Sequence, residues 1–341
     1  MHDLFWTPQF CDDYSLILEF LPRVLAKEKW YTHFDWYLET PLKKSFSALI
    51  KLVRFQEYGY FILITSLLGA VTAGGILSDR LLAILLANGL VVGFAHMVND
   101  IEDAAEDVFS LKNSLRNPIS SGLILPKTAR FAAVIVGLIA VGLFALMGLW
   151  PWIFGAGNLV LGLIYSHKAI RLKALPLAAF ISRGALLAGL PFLSSYFTFS
   201  DSLNRIWYWP FLCLISLSFL LDLHSERSGE ERTRFSRWNE ISVQYGERFA
   251  NVLMIGVIIV VASTGVVSMF LINLFPSWVI IIILMLLTLM IVPPYFKYRR
   301  DRTGADLAGL LIHGLVHAFA IGLVLQFILP TLVRMIRLGW F

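Results

Sequence analysis

Charge is what this chain has least of. Of its 341 residues only 15% are charged, while 58% are hydrophobic and the mean hydropathy is +0.74. A soluble core of this size has no need of several uninterrupted apolar runs, so the composition excludes an ordinary globular enzyme and indicates a polytopic membrane protein. Cysteine is nearly absent as well. Cys11 and Cys213 lie far apart with no metal-like spacing, which excludes a disulfide framework and a zinc site. No nucleic-acid motif is present, and the aromatic, acidic start from Met1 to Asp13 does not read as a signal peptide.

What is abundant is long apolar sequence. Residues 1–56 do not span a membrane, but Leu42 to Phe55 sets Lys43, Lys44, Lys51 and Arg54 among large apolar residues. This pattern fits a basic amphipathic helix lying on an anionic leaflet, or equally a helix packed on a bundle. Nine apolar segments follow: Tyr60–Ile76, Leu81–Val98, Ala129–Leu149, Trp152–Tyr165, Leu175–Leu193, Ile206–Leu221, Phe249–Leu274, Trp278–Tyr295 and Leu307–Leu329. Three parts are expected: an extension over 1–56, a transmembrane domain over 57–330 and a tail over 331–341. All but four of the 28 Lys and Arg fall on the N-terminal side of that topology, the exceptions being Arg80, Arg205, Arg334 and Arg337. The asymmetry places the N-terminus in the cytoplasm. The expected location is an integral, multi-pass position in a bacterial or archaeal-type cell membrane.

The informative residues are the acids at span ends. The second apolar segment runs into Asn99-Asp100-Ile101-Glu102-Asp103-Ala104-Ala105-Glu106-Asp107. On a continuing helix Asn99, Asp103 and Asp107 share one face, with Asp100 beside them. Such a ladder repels itself and opposes the macrodipole at a helix C-terminus, so stability does not explain it. Its hard oxygen ligands suit Mg²⁺ bridging to a substrate phosphate. The sixth segment ends on Asp222 and Glu226, again four apart on one face. Two ladders at the same membrane depth fit Mg²⁺ ions that neutralise a diphosphate. Basic residues converge on the same side: Arg116 after the first ladder, and Tyr165, Lys168, Arg171 and Lys173 after the fourth segment. Arg116 and Lys168 are candidates to face a diphosphate, whereas Lys173 is assigned to membrane orientation.

These motifs resemble the UbiA superfamily of membrane prenyltransferases. The family's NDxxDxxxD is matched by Asn99, Asp100, Asp103 and Asp107, and its second acidic motif, usually DxxxD, by Asp222 and Glu226 with a Glu in the last place. Its Y-S…R-L-K stretch is matched by Tyr165, Ser166, Arg171, Leu172 and Lys173, and its N-P-I-S-x-G by Asn117 to Gly122. Gly229, Thr233, Gly246 and Ala250 approximate its downstream features, and the likeness covers about residues 45 to 329. The resemblance implies an all-α bundle of nine transmembrane helices around a central cavity. It implies Asn99, Asp103, Asp107, Asp222 and Glu226 as metal ligands, Asp100, Asp103 and Asp222 as catalytic acids, and Arg116, Tyr165, Lys168 and Arg171 as diphosphate-binding residues. The implied reaction moves an isoprenyl group from a prenyl diphosphate to a lipophilic acceptor within the membrane, with Mg²⁺ as cofactor, in quinone, carotenoid, chlorophyll or lipid biosynthesis. Terpene cyclisation is the alternative, and a transporter or pseudoenzyme scaffold the second alternative. Acids at span ends, not at the midplane, count against a transporter.

Other residues carry weaker signals. Gly89 and Gly93 permit close helix approach. His313 and His317 lie four apart without an acid nearby, which favours packing or cavity lining over a metal site. Arg183 reaches the cavity or snorkels outward, Asp306 caps a helix, and His96 packs or lines the site. Tyr196, Phe197, Trp207, Tyr208 and Trp209 read as an aromatic belt on the far side.

Overall fold

The computed structural model describes residues 41–228, 245–271, 274–301 and 307–337, and among these every regular element is helical. Thirty of the apolar side chains collect in one core that runs through the middle of the bundle. Helix α1 (Pro41–Val53) leads into α2 (Phe55–Thr72) through Arg54, whose φ of 53° places it in the left-handed region and breaks the two helices apart. Helix α3 (Asp79–Asp107) starts on Ser78, whose hydroxyl accepts from the Leu81 amide, and carries the first ladder in its last turns. After the short α4 (Leu111–Arg116), helices α5 (Pro126–Met147) and α6 (Leu149–Ser166) are separated by Gly148 alone, at a φ of 128° that glycine adopts readily.

The connector after α6 is compact. A 3₁₀ turn (Leu172–Ala174) leads to α7 (Pro176–Gly184), a π-helical turn (Ala185–Gly189) and α8 (Leu190–Phe199). The π turn ends one residue short of Pro191, which has no N–H to give to the preceding turn. The Leu186 carbonyl within it accepts from Asn158 Nδ2 at 3.2 Å. Helix α9 (Tyr208–Ser228) carries the second ladder, and α10 (Glu247–Val266), α11 (Ser277–Asp301) and α12 (Leu307–Arg337) complete the order.

Among the described residues six helices are long and apolar enough to cross a membrane: Asp79–Asp107, Pro126–Met147, Leu149–Ser166, Leu177–Phe199, Arg248–Phe270 and Gly314–Arg337. Tyr208–Leu223 and Ser277–Pro293 are apolar but shorter. Helix α3 packs on α5 and α6, α2 on α8 and α12, α9 on α10, and α11 on α12. Outward faces such as Phe131, Leu138 and Val252 stay exposed, as suits side chains that meet hydrocarbon.

A polar network and a close backbone approach fix the bundle. Asn88 is fully buried and donates to Ser66 Oγ (2.9 Å), Ser195 Oγ (2.9 Å) and the Pro191 carbonyl (3.2 Å), while accepting from Ser194 Oγ (2.8 Å). It ties α2, α3 and α8 together with every one of its polar atoms satisfied. Gly93 lets α3 approach the α1–α2 joint. A Cβ there would lie 2.8 Å from the Tyr58 hydroxyl and 2.9 Å from Val53 Cγ1.

Helix α1 is present where the amphipathic pattern lies, and it turns Ala48 and Leu52 inward onto Phe94, Met97 and Val98 while Ile50 and Lys51 stay exposed. The side chains of Lys43 and Lys44 lie outside the described residues, as do those of Glu226 and His313, and all of Asp306. Tyr196 departs from the expected belt. It is fully buried, donating from its hydroxyl to the Ser202 carbonyl (3.2 Å) and accepting from the Asn204 amide (2.8 Å), because this loop folds back onto the helix end.

Candidate functional site

The first ladder forms because α3 continues past its apolar run to Asp107. Asn99 and Asp103, one turn apart, turn toward the connector that follows α6. Arg171 at φ 47° reverses the chain, and the 3₁₀ turn behind it brings Lys173 back onto α3. Lys173 Nζ lies 2.8 Å from Asn99 Oδ1 and 2.5 Å from Asp103 Oδ2. An amide oxygen and a carboxylate oxygen thus converge on one point already held by a positive charge. Arg171 spans Asp103 (3.3 Å) and Glu106 (2.6 and 2.8 Å), and the buried Ser166 hydroxyl donates to Asn99 Oδ1 at 3.3 Å. The hydrogen bonds to Glu106 hold the Arg171 guanidinium above its ordinary pKa. Burial pulls the Lys173 ammonium below its own, with Asp103 opposing.

The second ladder is reached through the same connector. Helix α7 packs against α9 and brings Arg183 Nη1 to 3.3 Å from Asp222 Oδ1. Asp222 is fully buried, and neither of its oxygens accepts a hydrogen bond among the described residues. A buried carboxylate in that condition has room for further positive charge. Tyr165 lies in the last turn of α6, packed against the apolar core.

The remaining expected residues are placed elsewhere around α3. Asp100 points to the α1–α2 joint, where both its oxygens are taken by Arg54. Arg116 likewise turns away from the ladder and forms a two-pronged pair with Glu57 at 3.0 and 2.5 Å. Asp107 Oδ2 accepts from Asn117 Nδ2 at 2.9 Å, and that buried amide also donates to the Asp100 carbonyl at 2.8 Å. The Lys168 side chain is exposed, and its backbone amide donates to Glu102 Oε2 at 3.4 Å. Glu226 falls in the last turn of α9, with its side chain outside the described residues.

Sequence reasoning missed three participants. The sequence assigns Lys173 to membrane orientation, although the R-L-K match sets it two residues after Arg171. It leaves Arg183 open between cavity and lipid. It shows Arg54 only as part of a basic face, and no local pattern signals its partner.

Hard oxygen donors fit Mg²⁺. The convergence of Asn99 and Asp103 oxygens on one cation, and the buried Asp222 carboxylate without hydrogen bonds, both accord with it. Among the described residues no three His, Cys, Asp or Glu side chains group closely enough to hold a metal by themselves.

An all-helical membrane bundle with acids at two helix ends, each paired with a cation from one connector, defines the class of this chain. It belongs to the UbiA prenyltransferase family, whose model matches residues 62–323. Solved structures share the fold. One is a digeranylgeranylglyceryl phosphate synthase, at 13% identity and a TM-score of 0.58, covering 82% of this chain and 99% of that one. Another is a UbiA homolog from Archaeoglobus fulgidus bound to DMAPP and Mg²⁺, at 15% identity and a TM-score of 0.57, covering 82% and 97%. The same homolog bound to GPP and Mg²⁺ matches at 16% identity and a TM-score of 0.56, covering 82% and 98%. No curated protein sequence matches the chain.

Proposed function

We propose that the protein is a Mg²⁺-dependent prenyltransferase that moves an isoprenyl group from a prenyl diphosphate to a lipophilic acceptor inside the membrane. The observation that carries this reading is the connector from His167 to Gly184. It puts Arg171 and Lys173 on one acidic ladder and Arg183 on the Asp222 of the other.

Asn99, Asp103 and Asp222, with Asp107 and Glu226, are the residues that would hold the metal. When bound, Mg²⁺ supplies positive charge that neutralises a diphosphate. The chain's own cations meet the rest of that charge. Lys173 and Arg171 are already poised at the ladder, and each is a donor to phosphate oxygen when the carboxylates exchange partners. Their charge stabilises the leaving group as the allylic C–O bond lengthens. The apolar core against which Tyr165 packs excludes water from the developing carbocation. On the same reading the chain crosses the bilayer nine times over 57–330, between an extension at 1–56 and a tail at 331–341. The ladders then face the cytoplasm, as the basic side of the loops requires.

The test is product analysis. Membranes containing the protein are incubated with labelled geranylgeranyl diphosphate and Mg²⁺, with and without added lipid extract, and the product is identified by mass. Transfer predicts a labelled lipid heavier than the free chain and dependent on the extract. A labelled hydrocarbon formed without extract indicates cyclisation, and release of no diphosphate under either condition overturns the enzyme reading.

A further inference from the structure

Behind the ladder lies a second charged assembly that the proposed chemistry does not use. Asp100 is fully buried in the motif helix, one residue from Asn99 and three from Asp103. Arg54 Nε reaches its Oδ2 at 3.0 Å and Nη2 its Oδ1 at 2.5 Å, so the guanidinium grips the carboxylate with both prongs. Arg54 is itself buried and held by the left-handed turn between α1 and α2. Its Nη1 lies 3.8 Å from Glu57, and Glu57 pairs in turn with Arg116. Asp100, Arg54, Glu57 and Arg116 therefore form a row of alternating charge. The row joins α3, the α1–α2 joint and α4.

Stability alone does not account for such a row, because apolar replacement of a buried ion pair is often neutral or stabilising. Direction does. A fork-to-carboxylate pair is geometrically specific in a way that apolar packing is not. Successive residues on a helix are about 100° apart around its axis, so a pin at position 100 sets where positions 99 and 103 point. We propose that Arg54 is a positioning residue for the acidic ladder: through Asp100 it fixes the rotation of α3 about its axis, and with it the direction of Asn99 and Asp103. This rests on the metal-binding reading of that ladder. It also gives the motif's Asp100 a role apart from contact with substrate.

The test uses the full chain in lipid nanodiscs and reads Mn²⁺ binding by electron paramagnetic resonance, without substrate. The double variant Arg54→Met/Asp100→Leu removes both charges together and leaves neither one stranded. It is expected to melt near the parent temperature, yet to bind Mn²⁺ about tenfold more weakly. Arg54→Lys keeps the charge but loses the fork, and is expected to melt like the parent with an intermediate loss of affinity. Parent-like Mn²⁺ affinity in the folded double variant overturns the inference alone. If the double variant does not fold, parent-like affinity in Arg54→Lys overturns it instead. A parent protein that binds no Mn²⁺ overturns the reading of the ladder itself, and is recognised before any variant is compared.

Discussion

Lys173→Met separates the two things that Lys173 is placed to do. In the structure its ammonium occupies the point on which Asn99 Oδ1 and Asp103 Oδ2 converge, with its side chain 14% exposed and that of Asp103 19% exposed. Pairs this far out of water are little screened, and hydrogen bonds to charged groups contribute about 1.5–3 kcal/mol. A divalent ion must break that pairing to use the same two oxygens. Methionine keeps the length and apolar packing of the stem while deleting the charge. Taking ~2 kcal/mol for the contact released, the variant should bind Mn²⁺ roughly 30-fold more tightly than the parent. Its KM for prenyl diphosphate should move the opposite way, because a donor to the leaving group has gone. Mn²⁺ titration followed by electron paramagnetic resonance measures the first, and initial rates over a donor series measure the second. pH sharpens the comparison. Burial lowers the Lys173 pKa, so the ammonium gives up its proton at a lower pH than free lysine does. Above that pH the parent's metal affinity should climb toward the variant's. Metal affinity that is unchanged or weaker in Lys173→Met refutes the idea that this lysine and the ion share one place.

Two other outcomes are expected. Asp222→Asn removes a buried charge paired with Arg183 at 3.3 Å, and should cut turnover by at least about a hundredfold while leaving the protein folded in membranes; full activity would sink the two-ladder site. Asn88→Leu leaves Ser66, Ser194 and Ser195 without their shared partner deep in the bundle, at about 0.6 kcal/mol for each interhelical bond lost, so a total of roughly 2 kcal/mol. Chemical unfolding in mixed micelles measures it, and a change under about 0.5 kcal/mol would show that the serines find other partners.

The parts legible from residue order were those with a short-range signature. Apolar runs announce their helices through composition, and Asn99 and Asp103 announce a shared face through their spacing of four, whereas Asp107 turns to Asn117. Asp222 stood out because an acid at the close of an apolar run has no local reason to be there. What escaped notice was set by distant partners. Arg54 meets Asp100 from 46 residues away, and Glu57 meets Arg116 from 59 away, so neither pair leaves a trace in its neighbourhood. Lys173 was hidden for another reason. Every basic loop residue serves topology, and only the left-handed turn at Arg171 distinguishes one that doubles back. Tyr196 misled because a tyrosine at a helix end suits an interface, whereas here Asn204 folds over it.

The stretch from His167 to Gly184 answers to both acidic clusters although it is short and continuous. It is therefore a natural cassette. Grafted as a block from one relative into another, it would carry both halves of the charge balance with it, and the host would need to supply only the acids. A single replacement within it has no such protection, so residues 173 and 183 should change together with the acids they face.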